Sequence, residues 1–144
     1  MTAGTGKAVT IVMIEDDEGH ARLIQKNLQR AGVYNEVQHF GDGTSAMRHL
    51  LGAGRPNGHP LLVLLDLNLP DMSGVDILRQ LKDDADLRRA PVIVLTTTDD
   101  QREIERCYEL GCNVYITKPV NYETFAQAIR QLGLFLAVIQ VPPA

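Results

Sequence analysis

The stretch Leu61-Leu62-Val63-Leu64-Leu65-Asp66-Leu67-Asn68-Leu69-Pro70 carries the most information in this chain. Its first five residues are continuously apolar, too short for a helix and without the alternation of a half-exposed strand. They read as a central strand buried on both faces. The run stops at a carboxylate, which a buried strand would not choose for packing. Pro70 and Gly74 then mark a turn into a helical pattern over Val75–Leu81.

The same unit recurs on either side. Upstream, Val9–Ile14 is a second apolar run, followed by a helical face of Ala21, Ile24, Leu28 and Ala31 that Gly32 ends. Val37 and His39 with their neighbours alternate as an edge strand does, Gly43–Leu51 reads as a short helix, and Gly52–Pro60 as a loop. Downstream, polar Asp83–Ala90 reads as a loop and Val92–Leu95 as a fourth strand. Ile104, Cys107, Tyr108 and Gly111 mark one helical face, Val114–Ile116 a fifth strand, and Phe125, Ile129 and Leu132 a last helix. Alternating strands and helices predict a parallel sheet with helices on both faces. The expected organisation is a flexible N-terminus at 1–8, one domain at 9–132 and an apolar C-terminal extension at 133–144.

Four of the five apolar runs end in a polar group: Glu15-Asp16-Asp17, Asp66, Thr96 and Lys118. In a parallel sheet these ends share one edge, and ligands of such sheets bind at that edge, where the strand order reverses. Glu15, Asp16 and Asp66 together concentrate negative charge that Lys118 alone does not offset, which calls for a divalent cation. The donors are hard oxygens with no His or Cys among them, which favours Mg²⁺ over Zn²⁺.

The pieces Ile14-Glu15-Asp16-Asp17, Leu65-Asp66-Leu67-Asn68-Leu69-Pro70, Gly74, Leu95-Thr96-Thr97 and Lys118-Pro119, in this order, resemble the receiver domains of two-component systems over roughly Val9 to Leu132. The resemblance implies a flavodoxin-like doubly wound five-stranded sheet of order 2-1-3-4-5. It also implies that Asp66 accepts a phosphoryl group from a sensor histidine kinase. Asp16 and Asp66 would then hold Mg²⁺ directly, Glu15 through water and Asn68 through its backbone carbonyl. Lys118 and Thr96 would contact the phosphoryl group, and Thr96 and Tyr115 would relay the change to the surface. The family often has Asp where this chain has Glu15. Thr98, two residues after Thr96, replaces the acid or amide associated with rapid loss of phosphate. Thr117, Val120-Asn121 and the apolar tail are similar to the small response regulators that partner bacterial phytochrome kinases. In the tail, Leu134, Phe135, Leu136, Val138, Ile139 and Val141 are expected to make a homodimer interface.

Simpler readings compete residue by residue. Asp16 and Asp66 fit helix caps, Asn68 a plain turn and Tyr115 a half-buried strand aromatic. None of these explains why the acids coincide with Thr96 and Lys118. A Mg²⁺-dependent aspartyl-phosphate phosphatase would need a second acid where Asn68 stands, and a pure docking module would not need the intact set. Gly4-Thr5-Gly6-Lys7 precedes a strand and lacks the hydroxyl residue of a phosphate loop. His20, His39, His49 and His59 show no ligand spacing and are expected at solvated or edge positions.

The bulk properties set the outer limits. The chain has 144 residues, 44% of them hydrophobic, enough for one core and too few for a second domain. A formal charge of −4 gives no footprint for nucleic acid or an anionic membrane. Cys107 and Cys112 match neither a redox pair nor a zinc site and read as reduced packing residues. No run reaches the roughly 20 apolar residues of a membrane span. The expected location is the cytoplasm.

Overall fold

The computed structural model describes residues 9–52 and 60–131, with the side chain of Ile129 left aside. Five parallel strands form one sheet in the order β2-β1-β3-β4-β5. They are β1 (Thr10–Ile14), β2 (Val37–Phe40), β3 (Leu61–Leu65), β4 (Val92–Thr96) and β5 (Val114–Thr117). The helices between and after them are α1 (Glu18–Arg30), α2 (Gly43–Leu51), α3 (Gly74–Asp83), α4 (Gln101–Leu110) and α5 (Tyr122–Gln131).

The strands expected to be buried on both faces are so. Every residue of β1, β3 and β4 is buried, whereas the edge strand β2 has none buried. Because side chains alternate across a strand, the sheet feeds two separate cores. Val12, Ile14, Val63, Leu65, Val92 and Val94 pack against α2, α3 and Cys107 of α4. Ile11, Met13, Leu62, Leu64, Ile93 and Leu95 pack against α1 and α5, where Phe125 is wholly buried.

Helix starts follow from local hydrogen bonding. Asp17, Asp42, Ser73 and Asp100 each accept from a backbone N–H of the helix they precede, and Asn121 accepts from Thr124 N at the start of α5. Two helices end at left-handed glycines, Gly32 (φ 85°) after α1 and Gly111 (φ 109°) after α4.

Two expectations need correction. The segment Asp83–Ala90 is not simply loop: Asp83 closes α3, and Leu87–Arg89 forms a 3-10 turn that buries Leu87. Asp84 Oδ1 accepts from Asp86 N and Leu87 N, while Lys82 Nζ donates to the carbonyls of Arg88 and Ala90. Such short-range polar bonding leaves no trace in hydrophobic periodicity. The second correction concerns α4, whose expected buried face is mostly open. Only Cys107 is buried, and Tyr108 is 47% exposed.

No helix among the described residues is long and apolar enough to cross a membrane. The expected interface residues Leu134, Phe135, Leu136, Val138, Ile139 and Val141, the terminus at 1–8, Leu132 and most of the loop before Pro60 lie outside the described residues.

Candidate functional site

The carboxyl ends of β1, β3, β4 and β5 bring together the residues that the sequence places at strand ends. Glu15 and Asp66 are buried carboxylates, their side chains 2% and 7% exposed, and the Lys118 side chain is 6% exposed. Lys118 Nζ donates to Glu15 Oε1 at 2.5 Å and to Asp66 Oδ2 at 3.2 Å. Asp16, by contrast, is exposed. Burial pushes the Glu15 carboxyl above its ordinary range, and the hydrogen bond from Lys118 pulls against that rise.

Carboxylate oxygens of Glu15, Asp16 and Asp66 lie within 4.8 Å of one another. Three acids at that separation repel one another, and a single ammonium does not balance them. An all-oxygen donor set of this kind, open to water on the Asp16 side, fits a small hard divalent ion. It does not suit a thiolate- or imidazole-preferring metal.

Asp66 is presented by a close backbone approach. Gly74 N donates to the Leu67 carbonyl at 2.9 Å, and a Cβ at Gly74 would sit 2.6 Å from Leu67 Cα. Only glycine lets α3 begin directly beneath the end of β3. The loop between them is closed by an antiparallel bridge between Asn68 and Ser73, and Asn68 N donates to Asp66 Oδ1 at 3.1 Å.

Asn68 does more than its expected backbone role requires. Its side-chain amide lies 3.2 Å from Thr96 Oγ1 and 3.3 Å from both Thr97 Oγ1 and Thr98 Oγ1. It thereby ties the end of β3 to the end of β4. Thr96 itself is fully buried. Tyr115, on β5, donates from its hydroxyl to the Thr98 carbonyl at 2.6 Å, and its own N–H is accepted by Tyr108 Oη at 3.1 Å. Burial pushes the Tyr115 phenol up, which keeps it a donor at neutral pH. A polar chain therefore runs from Asp66 through Asn68 and Thr98 to Tyr115.

Two residues that sequence reasoning passed over belong to this edge. His20, expected at a solvated position, is half-buried in the first turn of α1 with Nδ1 3.1 Å from Lys118 Nζ. Its place at the start of the helix that follows the Glu15-Asp16-Asp17 cluster was the available signal. Asp71, an exposed turn residue, accepts from Gly43 N and Thr44 N at 2.8 Å each and from the Thr44 hydroxyl. These bonds hold its carboxyl down to about 2. Nothing in the local sequence of Asp71 points to a partner 27 residues earlier.

The cysteines behave as packing residues. Both are buried, and burial pushes Cys107 up to about 11 and Cys112 up to about 12, so neither is a thiolate at neutral pH.

Comparison with known proteins places these observations beside a family and its relatives. Residues 11–130 match the model of the response regulator receiver domain. A solved receiver domain from Rhodospirillum rubrum is 67% identical, covering 93% of this chain and 97% of that one, with a TM-score of 0.77. The bacteriophytochrome response regulator RtBRR is 37% identical over 94% of this chain and 84% of its own, with a TM-score of 0.82. Response regulator Rcp1 of Synechocystis is 34% identical over 93% of both chains. Its Mn²⁺-bound structure aligns with a TM-score of 0.72 over 94% of this chain and 99% of that one.

Proposed function

We propose that this chain, which belongs to the response regulator receiver family, works as a switch that takes a phosphoryl group from a sensor histidine kinase onto Asp66. The observation that carries the proposal is the Lys118 ammonium bridging Glu15 and Asp66 at a strand edge that also holds the buried Thr96 hydroxyl.

An Asp66 carboxylate oxygen forms the new bond to phosphorus as the bond from phosphorus to the kinase imidazole breaks. The electron pair leaves with the imidazole nitrogen, and the product is an acyl phosphate. Asp16, Asp66 and the Asn68 carbonyl would hold Mg²⁺ directly and Glu15 would hold it through water, and the ion would supply positive charge for the phosphoryl oxygens. The Lys118 ammonium adds a further positive charge beside Asp66, and this electrostatic neutralisation is the main catalytic requirement of phosphoryl transfer. Thr96 donates its hydroxyl to the phosphoryl group once it is in place. That hydroxyl then moves away from the Asn68 amide, the β4–α4 connection loosens, and Tyr115 leaves the Thr98 carbonyl and turns. The site stands as a two-state element biased by one local charge change.

The protein performs this transfer on itself and is not a turnover enzyme. Asn68 occupies the place where a phosphatase of this chemistry would carry its second acid, and its two amide N–H donors face the hydroxyls of Thr96, Thr97 and Thr98. The kinase partner is of the phytochrome class, a reading supported by the likeness to RtBRR. The output passes to a downstream protein or a phosphotransfer protein, in the cytoplasm. Pairing of two copies through Leu134, Phe135, Leu136, Val138, Ile139 and Val141 rests on the apolar composition of that tail. Light scattering on the full chain and on a version ending at Leu132 tests it. Loss of the dimer on truncation is expected, and a monomeric full chain would overturn it.

Incubation with Mg²⁺ and acetyl phosphate tests the central claim. One hydroxylamine-labile phosphoryl group per chain is expected, lost in Asp66→Asn and with EDTA. Steady phosphate release would mean a phosphatase, and no adduct would mean a docking module.

A further inference from the structure

A lysine ammonium offers three N–H donors and no acceptor. All three donors of Lys118 have partners here: Glu15 Oε1 at 2.5 Å, Asp66 Oδ2 at 3.2 Å and His20 Nδ1 at 3.1 Å. The first two acceptors belong to the receiver chemistry already described. The third comes from α1, and nothing in that chemistry assigns it a task. We propose that His20 is a positioning residue that fixes the Lys118 ammonium and thereby sets how fast Asp66 is phosphorylated. The inference rests on Asp66 being the phosphoacceptor.

With two carboxylates alone, Nζ at the end of a four-carbon stem is free to swing along the arc between them. A third acceptor on a different element removes that freedom. His20 is itself well anchored: its backbone N–H donates to Asp17 Oδ1 at 2.9 Å, within the cap that starts α1. Its Nδ1 lies 4.0 Å from both Glu15 Oε2 and Asp17 Oδ1, so the ring edge faces the acidic cluster. Because the ammonium can only donate, Nδ1 meets it as a bare lone pair, and the ring proton resides on Nε2.

The residue type also fits the charge balance. A carboxylate in this place would add another negative charge to Glu15, Asp16 and Asp66 and deepen their repulsion. A neutral imidazole provides the acceptor without the charge. Fixed donors aimed at developing charge are worth more in a transition state than mobile ones, because no reorganisation is needed when the reaction occurs. The His20 side chain is 45% exposed, so replacing it removes little buried area and leaves the fold intact.

The test uses the full chain with acetyl phosphate at saturating Mg²⁺. His20→Ala and His20→Phe should slow the maximal rate of phosphorylation about three- to tenfold with the half-saturating donor concentration unchanged. His20→Asn, whose side-chain oxygen can take the place of Nδ1, should restore most of the rate. A second measurement needs neither metal nor donor. The ¹H–¹⁵N signal of the Lys118 ammonium should be visible in the native and Asn proteins and be broadened by solvent exchange in Ala and Phe. Native rates and a native ammonium signal in Ala and Phe would overturn the proposal. Rescue by Phe but not by Asn would also overturn it, since ring bulk and not an acceptor would then matter. If the native protein takes no phosphoryl group on Asp66, the proposed function fails, while the ammonium signal still decides the His20–Lys118 contact.

Discussion

Helices α3 and α4 are each 10 residues long and pack on the same face of the sheet, yet they are held in very different ways. Helix α3 buries Gly74, Val75, Ile77, Leu78 and Leu81. Helix α4 buries Cys107 alone, and Arg102, Glu103, Glu105, Arg106 and Glu109 fill much of the rest of it. The strands that lead into them do not share the contrast, but the edge strand beside α4 does. β3 and β4 are wholly buried, but β5, next to α4, has one buried residue. An open cleft lined by Tyr108, Asn113, Val114 and Gln131 lies on that side. The proposed nucleophile Asp66 thus follows a closely packed strand–helix unit, and the proposed responsive surface lies on a lightly packed one. That division suits a switch, because elements that move are drawn from the less stable parts of a fold.

The contrast is most directly challenged by truncating each helix. Leu78 is 0% exposed, so Leu78→Ala should cost about 2–5 kcal/mol through lost burial and the cavity left behind. Ile104 is only half-buried, and Ile104→Ala should cost about 1 kcal/mol or less. Urea unfolding of both variants measures the difference. Equal losses would show that α4 is as firmly held as α3 and would remove the division.

A smaller effect is expected at the link between the two units. Thr96→Ala removes the hydroxyl that Asn68 shares and the new phosphoryl group would claim. The variant should still be phosphorylated on Asp66, several-fold more slowly. Its α4 and β5 amide signals should no longer shift on phosphorylation. Tyr115→Phe, which deletes the bond to the Thr98 carbonyl, should instead shift the unphosphorylated spectrum toward the phosphorylated one. A normal response in Thr96→Ala would place the relay elsewhere.

These two units were not equally legible in the sequence. Leu61–Leu65 and Val92–Leu95 announce themselves because burial on both faces leaves no room for a polar residue. The break from that pattern at Asp66 and Thr96 marks the candidate site for the same reason. Lys118, by contrast, follows a strand with one buried residue and stands out by its place in the order of strand ends. Helix α4 misled because Ile104, Cys107 and Tyr108 have helical spacing whether or not anything covers them; periodicity reports which face could pack, not which face does. His20, Asp71 and the Asn68 amide stayed hidden for another reason. Each acts through a contact between elements distant in sequence, and no local pattern encodes a partner 98, 27 or 28 residues away.

On the lightly packed side a kinetic effect of a few-fold is expected at Thr98. Its hydroxyl lies 3.3 Å from the Asn68 amide, and its carbonyl accepts from Tyr115. A threonine so engaged is poorly placed to orient an attacking water, so the phosphoryl group should be long-lived. Thr98→Glu introduces a carboxylate that can accept a proton from water and should shorten the phosphoryl lifetime by about three- to tenfold. Loss of label from purified phosphoprotein measures it. An unchanged or longer lifetime would show that water access, not orientation, limits the reaction.

The smallest effect, and the one that tests the rigid unit at its outer rim, concerns Asp71. This carboxylate joins the loop after Asp66 to the N-terminus of α2 through Gly43 N, Thr44 N and the Thr44 hydroxyl. It is fully solvent-exposed, so its contribution is screened by salt and modest. Its folded-state value of about 2 lies below the ordinary 3.8. Protonation is therefore harder in the folded protein, and the stability it contributes is fully present above pH 3.8. That stability fades as the pH falls through about 2, where the folded-state carboxyl itself takes up its proton. Asp71→Asn keeps the shape but removes this dependence. The gap in melting temperature between native protein and variant should be widest above pH 4, narrow steadily toward pH 2, and shrink at all pH values in high salt. Mg²⁺ titration by calorimetry adds a functional measure, because the same loop carries the Asn68 carbonyl. A loosened loop should weaken metal binding slightly while leaving the Tyr115 signals of the metal-free protein unchanged. If those signals move instead, the loop after β3 is coupled to the β5 side even before phosphorylation, and the boundary between the rigid and responsive halves lies closer to α2 than the packing of α3 suggests.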